Sequence, residues 1–525
     1  MPPPTKRARY DAVVAGGGHN GLVAAAYLAG AGLSVLVLER RERTGGAAVS
    51  ERLFPGFEAE LSPYAYLVSL FPRKIAEDLG LRFEMRRRRV ASCTPYEREG
   101  RRGALLISNE DERITEASFR ALPDGKEEYA GFRRLQALAR AAAERLWPTL
   151  LGPLPSREEM RARFRGQEAA WDFLFERPLG EGIERHLRDD LVRGLVFTDA
   201  TIGVLADPHD PGLLQNRTFL YHAIGNGTGD WCVPVGGMGR LTGELAARAL
   251  ASGAEILTGA EVTGIEPETG GAGVRFRHAG EDHAAGARWA LVNLAPRELA
   301  RVLPGYREPW EPEEGAFLKI NMLLERLPRL KGGVGPADAF RGTFHAEEGY
   351  ANIRLANAGA RGGAFPSAPP VEVYCHTLTD PSILSPELAA RGCHSLGLFG
   401  LAAPHGLFLE RNEAAKAEQA GRCLASLEAH LEEPLGDCLL RGADGRPCVE
   451  VKSPLDVERE LGMPLGNIFH GRLAWPFAER EEEGGAWGVE TGVGRVLLCG
   501  SGARRGGCVS GIPGHNAAMK VLGRG

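Results

Sequence analysis

The hydrophobic pattern near the start of the chain predicts a strand, a glycine turn, a helix and a second strand. The apolar run "DAVVAG", Asp11 to Gly16, has the length of a buried strand and ends in glycines. The alanine-rich run "LVAAAYLAGAG" that follows favours a helix. The run "SVLVLE", Ser34 to Glu39, is a second apolar strand that ends in an acid. This order is typical of a βαβ unit, in which the glycine turn lies at the helix N-terminus.

The turn carries the spacing Gly16-x-Gly18-x-x-Gly21, and each glycine has a physical role. Gly16 permits a tight turn, Gly18 lets the backbone approach a pyrophosphate, and Gly21 lets the helix pack close to the strand. The helix N-terminus offers free N–H groups and a positive dipole end to phosphates. Glu39 is placed to accept hydrogen bonds from ribose hydroxyls. The pattern therefore favours a dinucleotide-binding site over a purely structural turn.

Two later segments have patterns that would complete such a site. The C-terminal run from Arg495 to Gly523 reads as a strand, a glycine-rich loop and a terminal helix. The middle run from Gly236 to Glu266 reads as a helix, from about Arg240 to Ala251, followed by two short strands. The run from Arg288 to Leu299 then resembles a strand that would complete the dinucleotide-binding part of the chain.

The sequence between these segments predicts a largely helical cap. The run from Phe132 to Trp147 is helical, and the run that continues to Phe197 keeps the helical pattern with i,i+4 charge pairs. The apolar run from Ser62 to Pro72 favours ordinary core, with the wall of a substrate tunnel or a membrane contact as alternatives. The basic run from Arg86 to Arg89 favours a solvated face or strand edge over an acidic-lipid site.

Composition excludes several classes of protein. The 525 residues allow two or three domains, and the net charge of −5 with a pI near 6.3 argues against nucleic-acid binding. The nine cysteines include no C-x-x-C spacing, so neither a disulfide framework nor a structural zinc site is expected, and no other metal spacing is evident. No apolar run reaches bilayer length, and "MPPPTKRAR" is not a signal peptide. We expect a cytoplasmic protein, with peripheral membrane contact left open.

Several motifs together resemble one known family. They are the glycine turn, the doublet Gly45-Gly46 in "RRERTGGAAVSE", and the runs "VGGMG", "LKINMLLERLP", "GNIFHG" and "LCGSGARRGGCVSGIPGHNAA". This set resembles the phytoene-desaturase-like FAD-dependent oxidoreductases, in the branch named for pyridine nucleotide-disulfide oxidoreductase domain-containing protein 2. Carotenoid ketolases of the desaturase type are near neighbours, and the glycine doublet is shared with flavin amine oxidases. The resemblance covers nearly the whole chain.

The resemblance implies an α/β fold with an α+β cap. A Rossmann-like FAD-binding domain of the glutathione-reductase and amine-oxidase type would be discontinuous, over residues 1–90, 230–300 and 485–525. The substrate or cap domain would comprise residues 91–229 and 301–484. Disulfide reduction is not expected despite the branch name, because that chemistry needs two closely spaced cysteines beside the flavin.

The resemblance also implies the residues that hold a non-covalent FAD. The backbone of Val262 would bind the adenine, and Arg43 and the glycine doublet would lie along the pyrophosphate. The C-terminal helix would direct its N-terminus at the flavin. The complete expected set is Gly16, Gly18, His19, Asn20, Gly21, Glu39, Arg40, Arg43, Gly45, Gly46, Ala47, Val262, Gly500, Ser501, Val509, Ser510 and Gly511.

Catalytic candidates are fewer, because FAD itself supplies the difficult chemistry. Lys319 in "AFLKINMLLERLP" is polar within an apolar strand, and in amine oxidases a lysine on a similar strand holds a water beside flavin N5. A lysine that caps the strand or pairs with an acid is the alternative. His470 in "GNIFHG" is a second candidate, although this residue and His222 also fit the pattern of buried core histidines.

The branch pattern is interrupted at two places. Residues 471–479 read "GRLAWPFAE" where the relatives carry an acidic run, and residues 504–508 read "RRGGC" where the relatives tend to have "HPGGG". The resemblance places both segments near the flavin or its cavity, and Trp475 and Phe477 are candidates for filling that cavity. The substrate could therefore differ from that of the relatives.

Three functions follow from the sequence. The first is hydride abstraction from an apolar organic substrate by a polyene desaturase, ketolase or isomerase. The second is an amine oxidase, and the third is an FAD-binding regulatory or interaction protein without turnover. The electron acceptor would be oxygen, a quinone or another carrier. The pattern determines neither the substrate nor the oligomeric state.

Overall fold

The computed structural model describes residues 4–308 and 310–524, which contain two seven-stranded sheets and a two-stranded sheet. The strands are β1 Arg9–Ala15, β2 Val35–Leu38, β3 Met85–Arg87, β4 Val90–Arg98, β5 Arg101–Ser108, β6 Cys232–Pro234, β7 Glu255–Leu257, β8 Ala260–Glu268, β9 Gly271–His278, β10 Glu281–Val292, β11 Phe317–Leu324, β12 Thr343–Ala346, β13 Val371–Tyr374, β14 His394–Leu401, β15 Val449–Lys452 and β16 Val496–Leu498.

Helices cover the sheets and form a separate layer in the cap. They are α1 His19–Gly30, α2 Arg73–Leu79, α3 Glu112–Arg120, α4 Gly125–Leu146, α5 Arg157–Arg163, α6 Glu168–Trp171, α7 Leu179–His186, α8 Asp190–Phe197, α9 Leu214–Ala223, α10 Met238–Ala251, α11 Pro296–Val302, α12 Pro336–Arg341, α13 Tyr350–Arg361, α14 Pro386–Ala390, α15 Asn412–Glu428, α16 Pro454–Leu461 and α17 Ile512–Leu522.

The first sheet has a parallel half and an antiparallel half. Its order is β7-β2-β1-β10-β9-β8, with β16 also paired to β10. Strands β7, β2, β1, β10 and β16 run parallel to their neighbours, while β8, β9 and the first part of β10 form an antiparallel meander. Strands β1 and β2 are almost entirely buried, as expected for parallel strands covered on both faces. This confirms the predicted α/β class.

Helices α1, α10 and α17 cover this sheet. The alanines and glycines of α1 let its neighbours approach closely. At Gly514 of α17, a Cβ atom would lie 2.0 Å from the carbonyl oxygen of Asn20 in α1, so only glycine fits there. The terminal helix is thereby held against the first helix of the chain.

The second sheet has the order β15-β11-β14-β13-β12-β4-β5 and is antiparallel except where β12 pairs with β4. The predicted α+β cap contains this sheet, but the sequence analysis assigned few of its strands individually. The domain boundaries stay a prediction. All strands of the first sheet come from the three segments that the prediction assigned to one domain.

The helical cap layer has its own core, built largely by helices α4 to α9. Capping supports these helices locally. The Ser156 hydroxyl accepts a hydrogen bond from the backbone N–H of Glu159, and the Glu159 carboxylate accepts one from the N–H of Ser156, which caps the start of α5. Across residues 4–308 and 310–524, none of the helices combines the length and apolar character needed to cross a membrane.

Candidate functional site

Three parallel strands of the first sheet end at the same edge, and the segments that follow them meet there. Strands β1, β10 and β16 are in register over their last residues. Gly16 follows β1 and Asn293 follows β10, while Gly500 lies two residues after β16. The Asn293 side chain donates a hydrogen bond to the carbonyl oxygen of Gly16 at 3.2 Å. This edge is where open parallel sheets bind ligands.

The glycine turn and the glycine doublet lie against each other. The backbone N–H of Gly45 donates to the carbonyl oxygen of Gly17 at 2.8 Å, and Gly18 and Gly45 form an isolated β-bridge. Gly45 and Gly46 have φ angles of 126° and 61°, which favour glycine. A Cβ atom on Gly18 would lie 2.8 Å from the Asn293 amide nitrogen. The two loops therefore present bare backbone on the same side.

Glu39 at the end of β2 is held in place by two backbone donors. One carboxylate oxygen accepts from the N–H of Gly17 at 2.8 Å, and the other accepts from the N–H of Arg41 at 2.9 Å. Arg40 and Arg41 follow on the cavity wall. Arg43 instead forms an ion pair with Glu51 and donates to the carbonyl of Ser50. The position of Arg43 along a pyrophosphate therefore remains a prediction.

A cavity of about 1020 Å³ begins at this sheet edge and extends into the cap. Twelve of the residues that the sequence analysis selected lie on its wall: Gly16, Gly18, His19, Asn20, Glu39, Arg40, Gly46, Ala47, Val262, His470, Ser501 and Val509. The remaining selected residues are not themselves on the wall. They are Gly21, Arg43, Gly45, Lys319, Gly500, Ser510 and Gly511. The structure thus brings residues from all three segments to one cavity.

Two histidines on the wall have ring nitrogens without partners among the described residues. They are Nε2 of His19 and Nδ1 of His470, and the amide oxygen of Asn20 is also unpartnered. Burial, together with the nearby His470, lowers the pKa of His19 to about 4. Burial lowers the pKa of His470 to about 4. Both rings are therefore neutral at physiological pH and can donate or accept a hydrogen bond.

The cap side of the cavity has a continuous apolar part beside polar and charged residues. On α4 the wall positions Phe132, Leu135, Gln136 and Ala139 recur at i, i+3, i+4 and i+7, and only Gln136 of these is polar. Exposed Arg133 and Arg140 on the same helix show where the wall reaches the surface. The apolar wall residues of this region are Leu67, Ala91, Ile107, Phe132, Leu135, Ala139, Leu195, Val196, Ile202 and Phe219.

Lys319 lies on β11 beneath two aromatic wall residues. Its Nζ atom is 4.2 Å from the ring centre of Phe399 and 4.6 Å from that of Tyr66. The side chain is 1% exposed. Burial lowers the pKa of Lys319 to about 7, although the charge of Glu450 opposes this shift. The lysine can therefore lose its proton near neutral pH, and its role at flavin N5 remains a prediction.

The same sheet face continues from Lys319 to an acidic group. Lys319 on β11 is in register with Phe399 on β14, Phe399 with Glu372 on β13, and Glu372 with His345 on β12. Residues in register on neighbouring strands project from the same face, so these side chains form one row. Phe399, Glu372 and His345 lie on the cavity wall.

Glu372 and His345 belong to a cluster with Glu348 and Asp199. Burial, followed by the charge of Asp199, raises the pKa of Glu372 to about 8. Burial and the neighbouring Glu372 hold the pKa of Glu348 well above its usual range. Burial and the positive charge of Arg88 lower the pKa of His345 to about 3. The cluster is therefore a strongly perturbed polar patch in an apolar cap.

Arg88 was expected on a solvated face or strand edge, but it is buried on the cavity wall. Its side chain donates to Oγ1 of Thr343 at 2.9 Å and to the carbonyl oxygen of Trp231 at 3.2 Å. Its neighbour Arg87 is exposed at the end of β3, as the prediction required. Arg86 and Arg87 on β3 are therefore exposed, whereas Arg88, which follows the end of this short strand, is buried.

The two segments that interrupt the branch pattern contact each other. Arg505 donates to the carbonyl oxygen of Pro476 at 3.1 Å, and Arg504 forms an ion pair with Glu479. Trp475 and Phe477 pack on Phe175, with ring centres 5.0 and 5.4 Å apart. These aromatic rings belong to the helical core, so they do not fill the cavity. The two departures form one structural unit between the C-terminal loop and the cap.

Sequence reasoning missed Asn293, Arg41, Arg88 and the acidic cluster. Asn293 had a detectable signal, because it is the first polar residue after the apolar run of β10. Arg41 is adjacent to a residue that was selected. The cluster had no local signal, because Asp199, His345 and Glu372 are far apart in the chain and meet only through strand pairing and helix packing.

These features define a dinucleotide-binding protein with a substrate cavity in its cap, and comparison with known proteins gives the class. Residues 21–318, more than half of the chain, match the family described as flavin containing amine oxidoreductase. The chain belongs to this family. It is accordingly an FAD-dependent oxidoreductase.

Individual relatives agree with this assignment over nearly the full length. An uncharacterised protein of Mycobacterium tuberculosis is 46% identical, over 98% of this chain and 97% of the relative. Pyridine nucleotide-disulfide oxidoreductase domain-containing protein 2 of Rattus norvegicus is 30% identical, over 98% of this chain and 93% of the relative. These matches confirm the resemblance predicted from the motifs.

Solved structures show the same fold. Putrescine oxidase bound to putrescine superposes with a TM-score of 0.57 at 18% identity, covering 98% of this chain and 99% of the other. The described residues also fit the FAD that the family requires. The two glycine loops leave a cradle that a Cβ atom would fill, and the unpartnered polar atoms of His19, Asn20 and His470 lie beside it.

Proposed function

We propose that this FAD-dependent oxidoreductase oxidises a predominantly apolar organic small molecule of the polyene type, by hydride removal from a C–H bond. The observation that carries this proposal is the apolar lining that α4, α8 and α9 give to the cap side of the cavity. An apolar ligand gains affinity from such a wall because its surface leaves water on binding. Desaturation belongs to this class, ketolation would in addition take an oxygen atom from water or O₂, and isomerisation of a polyene would use the same site without net redox.

FAD would be held without a covalent bond by the residues that meet at the sheet edge. The bare backbone at Gly18 and Gly46 would accommodate the pyrophosphate, and Glu39 would accept hydrogen bonds from a ribose. Val262 at the irregularity in β8 would contact the adenine. The remaining predicted FAD residues would contribute through the same loops and the N-terminus of α17. When held by these residues, FAD would supply the hydride acceptor for a substrate carbon and the route for the electron pair to oxygen, a quinone or another carrier.

Lys319 would orient a water molecule or the substrate through the gap between Tyr66 and Phe399. The neutral amine can accept a proton, because burial brings its pKa to about 7. The two rings exclude bulk water from the amine. His470 would be a hydrogen-bonding group for the cofactor or the substrate at the opposite wall. The cap residues would mainly exclude water and position the substrate.

Amine oxidation is the second candidate, and one observation favours it. The acidic side chains Asp199 and Glu372 lie on the cavity wall beside its apolar part. Burial raises the pKa of both acids, and a substrate ammonium group bound beside them would stabilise their ionised forms. An amine substrate would therefore bind with its charged end at the cluster and its apolar part along α4.

The first experiment is anaerobic reduction of the purified, FAD-loaded protein. A C40 polyene in phosphatidylcholine vesicles and putrescine in buffer are mixed with the protein separately, and bleaching of the visible flavin band is followed. Bleaching by the polyene alone supports the first proposal, and bleaching by putrescine alone supports the second. If neither compound bleaches the band while photoreduction does, the polyene proposal fails. Vesicle flotation in the same samples tests peripheral membrane contact.

The electron acceptor is then identified with the reduced protein. Oxygen and a soluble ubiquinone analogue are added separately, and the return of the visible band is timed. Hydrogen peroxide formation accompanies the reaction only when oxygen is the acceptor. The faster acceptor at matched concentration identifies the class of carrier.

A further inference from the structure

We propose that His345, Glu348 and Glu372 form a binding site for a divalent transition-metal ion on the cap side of the cavity. One ligand atom from each residue lies within 4.8 Å of the other two. The three residues are 6%, 1% and 7% exposed, respectively. One imidazole nitrogen and two carboxylate oxygens are a donor set that suits zinc or manganese.

The fold builds this group from two strands and the turn that follows one of them. His345 and Glu372 are in register on β12 and β13, so their side chains lie on the same sheet face. Glu348 follows His345 by three residues, and the carboxylate of Glu348 lies 3.4 Å from Nδ1 of His345. Glu347, between them in the chain, has a φ angle of 58°. This left-handed residue turns the chain back toward the sheet.

Two of the three ligand residues have buried polar atoms with unmet bonding capacity. Nδ1 of His345 and both carboxylate oxygens of Glu348 have no well-formed hydrogen bond among the described residues, although the Thr198 hydroxyl lies near Glu348. Burying such groups without a partner is costly, and a buried carboxylate most of all. A bound cation would satisfy Nδ1 of His345 and one oxygen of Glu348 together with one oxygen of Glu372.

The balance of charge in the cluster also favours a cation. In the part of the chain that the structure describes, no lysine or arginine forms an ion pair with Glu348 or Glu372. Arg88 is close enough to influence the group, but its donors are directed to Thr343 and to the carbonyl of Trp231. Metal binding would displace the protons of Glu348 and Glu372, and the two carboxylates formed in this way would neutralise one divalent cation. Asp199, on the facing wall, adds a third acid nearby.

An ion at this place would face the substrate cavity, because His345 and Glu372 lie on its wall. Three protein ligands leave a coordination position for water or a substrate oxygen, as in catalytic rather than structural metal sites. Glu372 is two strands from Lys319, which corresponds to about 10 Å at the usual strand spacing. The ion would therefore bind a carbonyl or hydroxyl oxygen of the substrate at a point about two strand spacings from Lys319.

The test measures metal on the full-length, FAD-loaded protein. The protein is treated with EDTA, dialysed, incubated with ZnCl₂ or MnCl₂, and desalted, and metal and FAD are quantified by mass spectrometry and absorption. We expect about one equivalent of metal per chain. Glu372→Gln keeps the volume of the side chain and should weaken metal binding by at least about 100-fold while FAD content is unchanged, because losing a ligand costs more than losing its outer-shell support.

Two further variants keep this test decisive. Glu348→Gln changes a ligand residue outside the sheet and should lose metal binding to the same extent. It replaces Glu372→Gln in the test if that variant fails to fold. Glu298→Gln changes a cavity-wall carboxylate that is outside the cluster and paired with Arg301, so it should retain full metal binding. Absence of metal from the wild-type protein after both incubations would refute the site. Equal metal retention in the wild type and in both cluster variants would do so as well.

Discussion

Lys319 and Glu372 both lie opposite Phe399, one strand to either side, so they belong to a single row across the second sheet. The row connects the lysine that the sequence singled out with an acid that it did not. Phe399 and Tyr66 cover the lysine, whereas Glu372 is on the cavity wall. The sheet therefore aligns a buried base and a buried acid beneath one substrate cavity.

Gly18→Ala should produce a folded protein that no longer retains FAD. The added Cβ atom would lie 2.8 Å from the side-chain nitrogen of Asn293, which can move, but it would occupy the space that the pyrophosphate needs. The ratio of visible flavin absorption to protein absorption measures the loss. Gly30→Ala, at the far end of α1, is the control, since its Cβ atom would meet its nearest neighbour only at 3.9 Å. Full FAD content in Gly18→Ala would contradict the proposed cradle.

Glu39→Gln should weaken FAD binding roughly 10- to 100-fold, which corresponds to the loss of a charge-assisted hydrogen bond. The variant keeps the size of the side chain and an oxygen that can accept from the N–H of Gly17. Titration of the apoprotein with FAD, followed by fluorescence, gives the dissociation constant. Glu42→Gln alters an exposed acid three positions along the chain and should leave affinity unchanged. If Glu39→Gln and Glu42→Gln have the same dissociation constant for FAD, Glu39 does not contribute to the FAD site.

Lys319 should make the free energy of unfolding depend on pH in a defined direction. Its pKa is about 7 in the folded state and near the ordinary value of 10.5 in the unfolded state. Between these values the unfolded state binds the proton and the folded state does not, so stability rises with pH. In Lys319→Met this rise is absent. Denaturant unfolding of both proteins at about pH 7 and about pH 10 measures the difference.

Lys452→Met is the control for this measurement. Lys452 lies in register with Lys319 on β15. Burial lowers its pKa, but the hydrogen bond to Glu460 and the charge of Glu450 outweigh burial, so the pKa is raised. Its contribution to stability is therefore constant below the unfolded pKa and is lost only at higher pH. A wild-type protein whose stability relative to Lys319→Met does not change between the two pH values would refute the lowered pKa.

Arg505→Met should destabilise the protein by about 3 kcal/mol or more, because buried carbonyl groups would lose their donor. The guanidinium donates to the carbonyl oxygens of Leu150, Gly152, Pro153 and Pro476, and the side chain is almost fully buried. Thermal unfolding measures the effect. Arg113→Met removes an exposed arginine and should not change the melting temperature measurably. A similar melting temperature for both variants would show that Arg505 does not connect the C-terminal loop to the cap.

The sequence by itself determined the dinucleotide-binding half of the protein. The run from Asp11 to Glu39 was assigned correctly as strand, glycine turn, helix and strand, because buried apolar periodicity and glycine spacing are local properties. Boundaries shifted by a few residues, as at α1, which begins at His19. The family resemblance followed from the same motifs and is confirmed.

Only the tertiary structure decided the substrate half. Strands β12 and β13 are short, and their hydrophobic pattern resembles that of many other segments, so the second sheet left little local signal. His345, Glu372 and Asp199 meet through strand register and helix packing, which depend on contacts between distant parts of the chain. For the same reason the sequence could select Lys319 as an unusual polar residue, but only the fold could give its aromatic neighbours and its place in the row.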